Sequence, residues 1–201
     1  MRICLDLSPV VHRQAGLATY ARNIAEHLLQ IDRANSYSAF FFAQEETRLP
    51  PPLDELPYRN IPWGARRWRL TVALDHILKR NMARAFEGVD LFHATEHLLP
   101  PLPCRSVFTF HDAIYALFPQ YHLPLNYWYL KIMMPRFLKR ADAIIAVSEC
   151  SKRDAMRLYN VAQDKIRVIY EGVNPAYHPI ADRAELERVR TKYHLPDRLL
   201  L

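Results

Sequence analysis

A histidine and an aspartate, His111 and Asp112, stand side by side directly after the apolar run SVFTF at residues 106–110. A buried strand that ends on two ionisable groups either satisfies its own turn or opens onto a site. The same pattern recurs along the chain. Ser8 follows RICLDL at residues 2–7, Thr95, Glu96 and His97 follow DLFHA at 90–94, and Ser148 and Glu149 follow AIIAV at 143–147. Glu171, Gly172, Val173 and Asn174 follow KIRVIY at 165–170. In open α/β sheets, ligands bind beyond the carboxyl ends of the strands. Polar sets at five such ends predict one ligand-binding rim.

Exclusions narrow the chemistry of that rim. There is no GxSxG elbow for a serine hydrolase. Cys4, Cys104 and Cys150 are far apart and form no CxxC pair, so they read as reduced, mostly buried thiols. Asp6, Glu96, Asp112 and Glu149 show no recognisable paired-carboxylate spacing. His93 and His97 have the i, i+4 spacing of helical metal ligands, but His93 falls in a predicted strand, where that spacing separates the rings. No metal and no cofactor is therefore expected. Ser148 reads first as the cap of the helix behind it, and such a cap also aims a helix N-terminus at phosphate. Gly16 opens a helix, where bare backbone N–H groups can meet a ligand, although no GxGxxG surrounds it.

The elements that must position these groups follow from periodicity. Strands are expected at residues 2–7, 37–43, 58–61, 90–94, 106–110, 143–147 and 165–170. In residues 16–31, Leu17, Tyr20, Ile24, Leu28 and Ile31 recur at helical spacing. A long amphipathic helix is expected over 66–86, with Leu70, Leu74, Ile77 and Leu78 as its apolar side and Gly88 as its stop. Further helices are expected over 124–140, which contains Pro135, over 148–159, and over the polar segment 182–194. Alternating strands and helices imply an α/β, Rossmann-like doubly wound parallel sheet. The closing DRLLL looks like the opening of another strand, so the chain is expected to be the first part of a longer protein.

Composition sets the outer bounds. The 201 residues are 50% hydrophobic and 24% charged, as in a globular domain. No run of about 18 apolar residues suggests a spanning helix, and MRICLDLSPV lacks a signal-peptide core, so a cytoplasmic location is the default expectation. The net charge of +6 is spread along the chain, and no nucleic-acid motif accompanies it. Two readings of the basic face over 66–84 stay open: a solvated surface, or peripheral contact with the inner face of a membrane. With 4 glycines, the chain has little material for a Gly-rich phosphate cradle.

Four stretches resemble the N-terminal half of retaining GT-B glycosyltransferases, the group called glycosyltransferase family 4 or group 1. They are AGLATYARNIAEHLL (15–29), DLFHATEHLLP (90–100), FTFHDAIYALFP (108–119) and ADAIIAVSECSKRDAMRLYNVAQDKIRVIYEGVNPAYHP (141–179). The last is the most specific, and together they span about residues 1–180. The resemblance implies half of a two-domain cleft: an acceptor-side Rossmann-like domain over 1–180, then a linker helix and the start of a nucleotide-sugar-binding domain over 181–201. That second domain would carry a basic pair and a Glu-x7-Glu motif that these residues do not contain.

By the same resemblance, Gly16 matches a loop glycine whose amides face donor phosphates and acceptor, with Ala15 in place of its glycine neighbour. His111 matches the cleft histidine near the transferred sugar and is the expected catalytic residue. Asp112 is expected to order its loop. Tyr20, Glu96, His97 and Ser148 line the rim on the acceptor side. The implied reaction moves a hexose of mannose or glucose type from a nucleoside-diphosphate sugar donor to a glycan or lipid-linked acceptor with retention, in polysaccharide biosynthesis. Alternatives are a non-catalytic glycan- or phosphate-binding domain and a GT-B-type sugar-nucleotide epimerase.

Overall fold

The computed structural model describes residues 1–44, 47–174, 177–196 and 198–199. Parts of two expected features, residues 175–176 of the last matching stretch and 197 and 200–201 of the closing DRLLL, lie outside the described residues. Strands β1 (Arg2–Asp6), β2 (Ser36–Phe42), β3 (Tyr58–Ile61), β4 (Leu91–Ala94), β5 (Arg105–Phe110), β6 (Ala143–Ala146) and β7 (Ile166–Val168) pair in the order β3-β2-β1-β4-β5-β6-β7. Every pairing is parallel. The expected α/β, Rossmann-like doubly wound sheet is therefore what this chain forms. β7 is shorter than its apolar run, because Ile169 and Tyr170 are already exposed.

Helices α1 (Ser8–Val11), α2 (Ala15–Ile31), α3 (Ala65–Ile77), α4 (Ile114–Leu117), α5 (Pro124–Arg140) and α6 (Glu149–Tyr159) connect these strands. The short α1 replaces part of the loop expected over 8–15. Strand side chains alternate between the two faces, and β2 shows why both faces are apolar. Phe41 packs with Leu5, Ala21 and Ala25 under α2, whereas Phe40 and Phe42 pack with Trp68, Val72 and Phe92 under α3 and α5. Strands covered on both faces read as continuous apolar runs.

α3 differs from expectation in two ways. It stops at Ile77, and a separate 3-10 turn covers Ala83–Phe86. Lys79 takes a left-handed φ of 55°, and the Arg80 N–H donates to the Asp75 carbonyl at 2.9 Å. That six-to-one bond is a Schellman stop with lysine in the place glycine usually takes, so the sequence carried no stop signal there. Second, the expected apolar side is not the buried one. Trp68 and Val72 face the sheet, with the Trp68 ring 5.4 Å from Phe40 and 5.6 Å from Phe42. Leu70 and Ile77 remain 60% and 56% exposed. A buried tryptophan removes more apolar area from water than a leucine, so its stripe takes the core.

The chain divides into two units, Met1–Tyr170 with the sheet and Glu171–Leu201 with α7 (Arg183–Tyr193). In the second, Asp182 caps α7 by accepting from the Ala184 and Glu185 amides. No helix among the described residues is long and apolar enough to cross a membrane.

Candidate active site

Because all strands run parallel, their carboxyl ends share one edge. The strand order reverses at β1, which lies between β2 and β4. Ligand sites of open α/β sheets gather at such switch points, and here that point falls between the end of β1 and the end of β4. The Thr95 hydroxyl donates to the Asp6 carbonyl at 2.5 Å and ties the two ends together.

His111 is held from several directions. Its Nε2 lies 2.9 Å from the Thr95 carbonyl, which can only accept, so Nε2 carries the proton. The Ser151 hydroxyl donates to the His111 carbonyl at 2.6 Å. The rings of Tyr20 and His97 meet the His111 ring edge-on, at 4.9 and 5.7 Å between centroids. Below this cluster, Thr109 Oγ1 bonds the Tyr20 hydroxyl at 3.0 Å and His93 Nε2 at 2.9 Å. Burial, then the neighbouring His111, holds His93 down to about 4, so its ring stays neutral. The same two causes push His97 well below the ordinary histidine value. The Nδ1 atom of His97 is buried with no hydrogen-bond partner among the described residues.

The remaining expected residues take different places. Asp112 Oδ1 accepts from the Ile114 N–H at 2.9 Å and starts α4, in line with a loop-ordering role. The Tyr115 and Tyr159 hydroxyls then join α4 to α6. Ser148 caps α6: its backbone is extended and its Oγ accepts from the Ser151 N–H at 3.0 Å. The Glu96 carboxyl is buried, bonds the Gln14 side chain and lies near Arg69. Burial, then the charge of Asp6, pushes it up to about 8. Asp6 is raised by its own burial, against which the Ser8 N–H, donating to Oδ1 at 2.9 Å, favours the ionised form. Two carboxyls so placed resist ionising together.

Gly16 lies exposed in the first turn of α2, and a Cβ there would meet nothing within 4 Å. Ala15 adopts the left-handed conformation, with φ 39°. A cleft of about 480 Å³ opens beside it, lined by Val10, Arg13, Ala18, Arg22 and Arg48 among others. A second cleft, of about 400 Å³, lies by Glu87, Gly88 and Cys104 at the amino edge, away from this site.

Tyr20, His97, His111 and Ser148 thus join one network through Thr109, Thr95 and Ser151. Glu96 joins it to the loop before Gly16. Glu171, Gly172, Val173 and Asn174 belong to the second unit. Sequence reasoning placed Thr95 on the rim but missed Asp6, Thr109 and Ser151 there and Arg69 as the nearby cation. A signal existed for two of them: Ser151 completes the Ser-x-x-Ser start of α6, and Thr109 interrupts an otherwise apolar strand. Cys150, expected among mostly buried thiols, is exposed at the start of α6, where the Arg153 guanidinium donates to its Sγ at 3.0 Å, and Cys4 is fully buried.

The family model for Glycosyltransferase Family 4 matches residues 15–177. The chain is 24% identical over 203 aligned residues to O-antigen chain mannosyltransferase B of Escherichia coli, covering 97% of this chain and 53% of that protein. Its fold is similar to Alr3699/HepE of Anabaena. The complex with UDP gives a TM-score of 0.52 at 16% identity, and that with UDP and glucose 0.56 at 15%. Each comparison covers 96% of this chain and 50% of that one, so the chain spans about half the length of the relatives it matches. The fold is the N-terminal half of a GT-B glycosyltransferase, and the chain belongs to Glycosyltransferase Family 4.

Proposed function

We propose that this chain forms the acceptor-side lobe of a glycosyltransferase that moves a hexose from a nucleoside-diphosphate sugar to a hydroxyl of a glycan or lipid-linked acceptor, with retention. The observation that carries this reading is His111, fixed at the switch-point rim by Thr95, Ser151, Tyr20 and His97. Family membership supports glycosyl transfer, and relatives named for mannosyl transfer or solved with UDP and glucose support a hexose carried on a nucleoside diphosphate.

In that reaction the anomeric C–O bond to the diphosphate breaks, a C–O bond to the acceptor oxygen forms, and the acceptor's proton leaves. The departing diphosphate gains charge while the sugar becomes cation-like, so fixed donors at the rim lower the barrier. A histidine held by its own carbonyl and by Nε2 presents its ring without the entropy of a free side chain. His97 Nδ1, without a hydrogen-bond partner among the described residues, suits a sugar hydroxyl, since buried polar atoms normally find a partner. The N-terminus of α6, capped by Ser148 at the same edge, suits an anionic group.

The test is His111→Ala in the enzyme carrying both lobes. Turnover is expected to fall about 10²–10³-fold, as when one stabilising donor is removed, with little change in melting temperature. Unchanged turnover in a folded variant would overturn the assignment.

A further inference from the structure

Side chains alternate along a strand. Phe92 and Ala94 of β4 and Phe108 and Phe110 of β5 lie in the core under α3 and α5, so His93 and Thr109 point to the opposite face of the sheet, the face that α2 covers. Elsewhere that face is apolar: Ile3, Leu5 and Phe41 pack there with Ala21 and Ala25 of α2. His93 and Thr109 are polar, and both are buried. Replacing a buried hydrogen-bonded pair by apolar groups of the same shape is nearly neutral for stability. Folding alone therefore gives no reason for a histidine and a threonine at these two positions.

What the pair does is hold one side chain of α2. Thr109 Oγ1 lies 2.9 Å from His93 Nε2 and 3.0 Å from the Tyr20 hydroxyl oxygen. A hydroxyl carries one proton and also accepts, so Thr109 can donate to one neighbour while it accepts from the other. Burial holds His93 down to about 4, and its neutral ring can take either role at Nε2. The Tyr20 hydroxyl is thereby turned into the fold. Its ring stands edge-on against the His111 ring, at 4.9 Å between centroids and 88° between planes. Gly16 lies about one turn before Tyr20 on α2. β4 separates β1, which leads into α2, from β5, which leads into His111. The Tyr20 side chain thus reaches past β4 and links the turn carrying Gly16 to the strand end carrying His111.

We propose that Tyr20 is a positioning residue: the buried Thr109–His93 pair holds its hydroxyl, its ring sets the His111 imidazole, and together they keep the Gly16 turn of α2 in register with His111. The hydroxyl then contacts neither donor nor acceptor, and only the ring belongs to the rim. The consequence for transfer rests on the reading of His111 given above, whereas the hold on the His111 ring does not.

The experiment compares Tyr20→Phe, Thr109→Val, the two combined, and Thr109→Ser, with melting curves to show that each is folded. One arm follows the His111 ring resonance by NMR in the 201-residue chain, where it is identified by its loss in His111→Ala. The resonance is expected to move in Tyr20→Phe and in Thr109→Val, and to return in Thr109→Ser, which keeps the hydroxyl. The other arm measures kinetics in the two-lobed enzyme. Tyr20→Phe should lower kcat on the order of 10-fold, short of the about 10²-fold that a 1 Å misplacement can cost, with KM for donor and acceptor unchanged. The combined variant should lose no more than the larger single loss, because both substitutions break one link. Thr109→Ser should recover most of the turnover. A raised acceptor KM in Tyr20→Phe, or losses that multiply in the combined variant, would make the hydroxyl a substrate ligand and overturn the proposal. So would unchanged turnover in Tyr20→Phe, or a His111 resonance that neither substitution moves. If Thr109→Val does not fold, Tyr20→Phe and Thr109→Ser decide by the same readings. A ring that moves as expected in a two-lobed protein that transfers no sugar would keep the hold and overturn the transferase reading instead.

Discussion

Glu96 shows what the rim does to a single group. Its carboxyl is buried beside Asp6, with the Gln14 side chain and the charge of Arg69 offsetting part of the lost hydration. In the unfolded chain it would ionise near 4.5, whereas in the fold it holds its proton up to about 8. A raised carboxyl contributes its stability below the unfolded value and loses it as pH rises through the folded value. Glu96→Gln cannot ionise, so it removes that dependence. The two proteins should melt alike at about pH 4, and the variant should melt higher at about pH 9. Thermal unfolding followed across that range decides it, and parallel curves would mean the folded carboxyl is already ionised at neutral pH. His111 was legible because a polar pair ended an apolar run. Its partners were not, since the choice of Thr95 and Ser151 depends on β4 and β5 pairing Ala94 with Phe108 and on how α6 enters the rim.

At the scale of elements, the start of α2 separates folding from function. Ala15 sits at φ 39°, where a Cβ is disfavoured by about 1–2 kcal/mol. Gly16 sits next to it with open space around the missing Cβ and no left-handed φ. Folding alone would prefer these two residues exchanged. Ala15→Gly is therefore expected to raise stability by about 0.5–1 kcal/mol, the relief of strain less the added freedom of the unfolded chain. Gly16→Ala should gain a similar amount by helix propensity. If a ligand approaches the Gly16 amide, the second substitution stabilises the chain yet lowers transfer by the two-lobed enzyme. Melting curves and turnover, taken together on both variants, separate the cases, and full activity in Gly16→Ala would remove the backbone-approach role. Strands and most helices could be read from period and flanks. The end of α3 could not, because Lys79 took the left-handed stop, nor could its buried face, because two apolar stripes competed and only the sheet decided between them.

For the whole molecule, the alternation of apolar runs and amphipathic segments was enough to give the sheet class. It also gave the common edge, since parallel strands must end together. It did not give the division between buried and exposed apolar surface, as the exposed Leu70 and Ile77 of α3 show. The last expectation concerns catalysis by the chain alone. The parallel sheet supplies one rim, and the relatives it matches are about twice as long. On the transferase reading, His111, His97 and Ser148 act on one side of a sugar whose diphosphate must be held from the other. The resemblance places that hold on a basic pair and a Glu-x7-Glu motif that these 201 residues do not contain. Half a cleft leaves the leaving group in water, where a preorganised site loses most of its advantage. The pure 201-residue chain should therefore release no nucleoside diphosphate from a nucleotide sugar above the buffer rate, with or without acceptor. The same assay on the two-lobed enzyme should show transfer that His111→Ala reduces. Measurable turnover by the 201-residue chain would place donor binding within this lobe and overturn the division of labour.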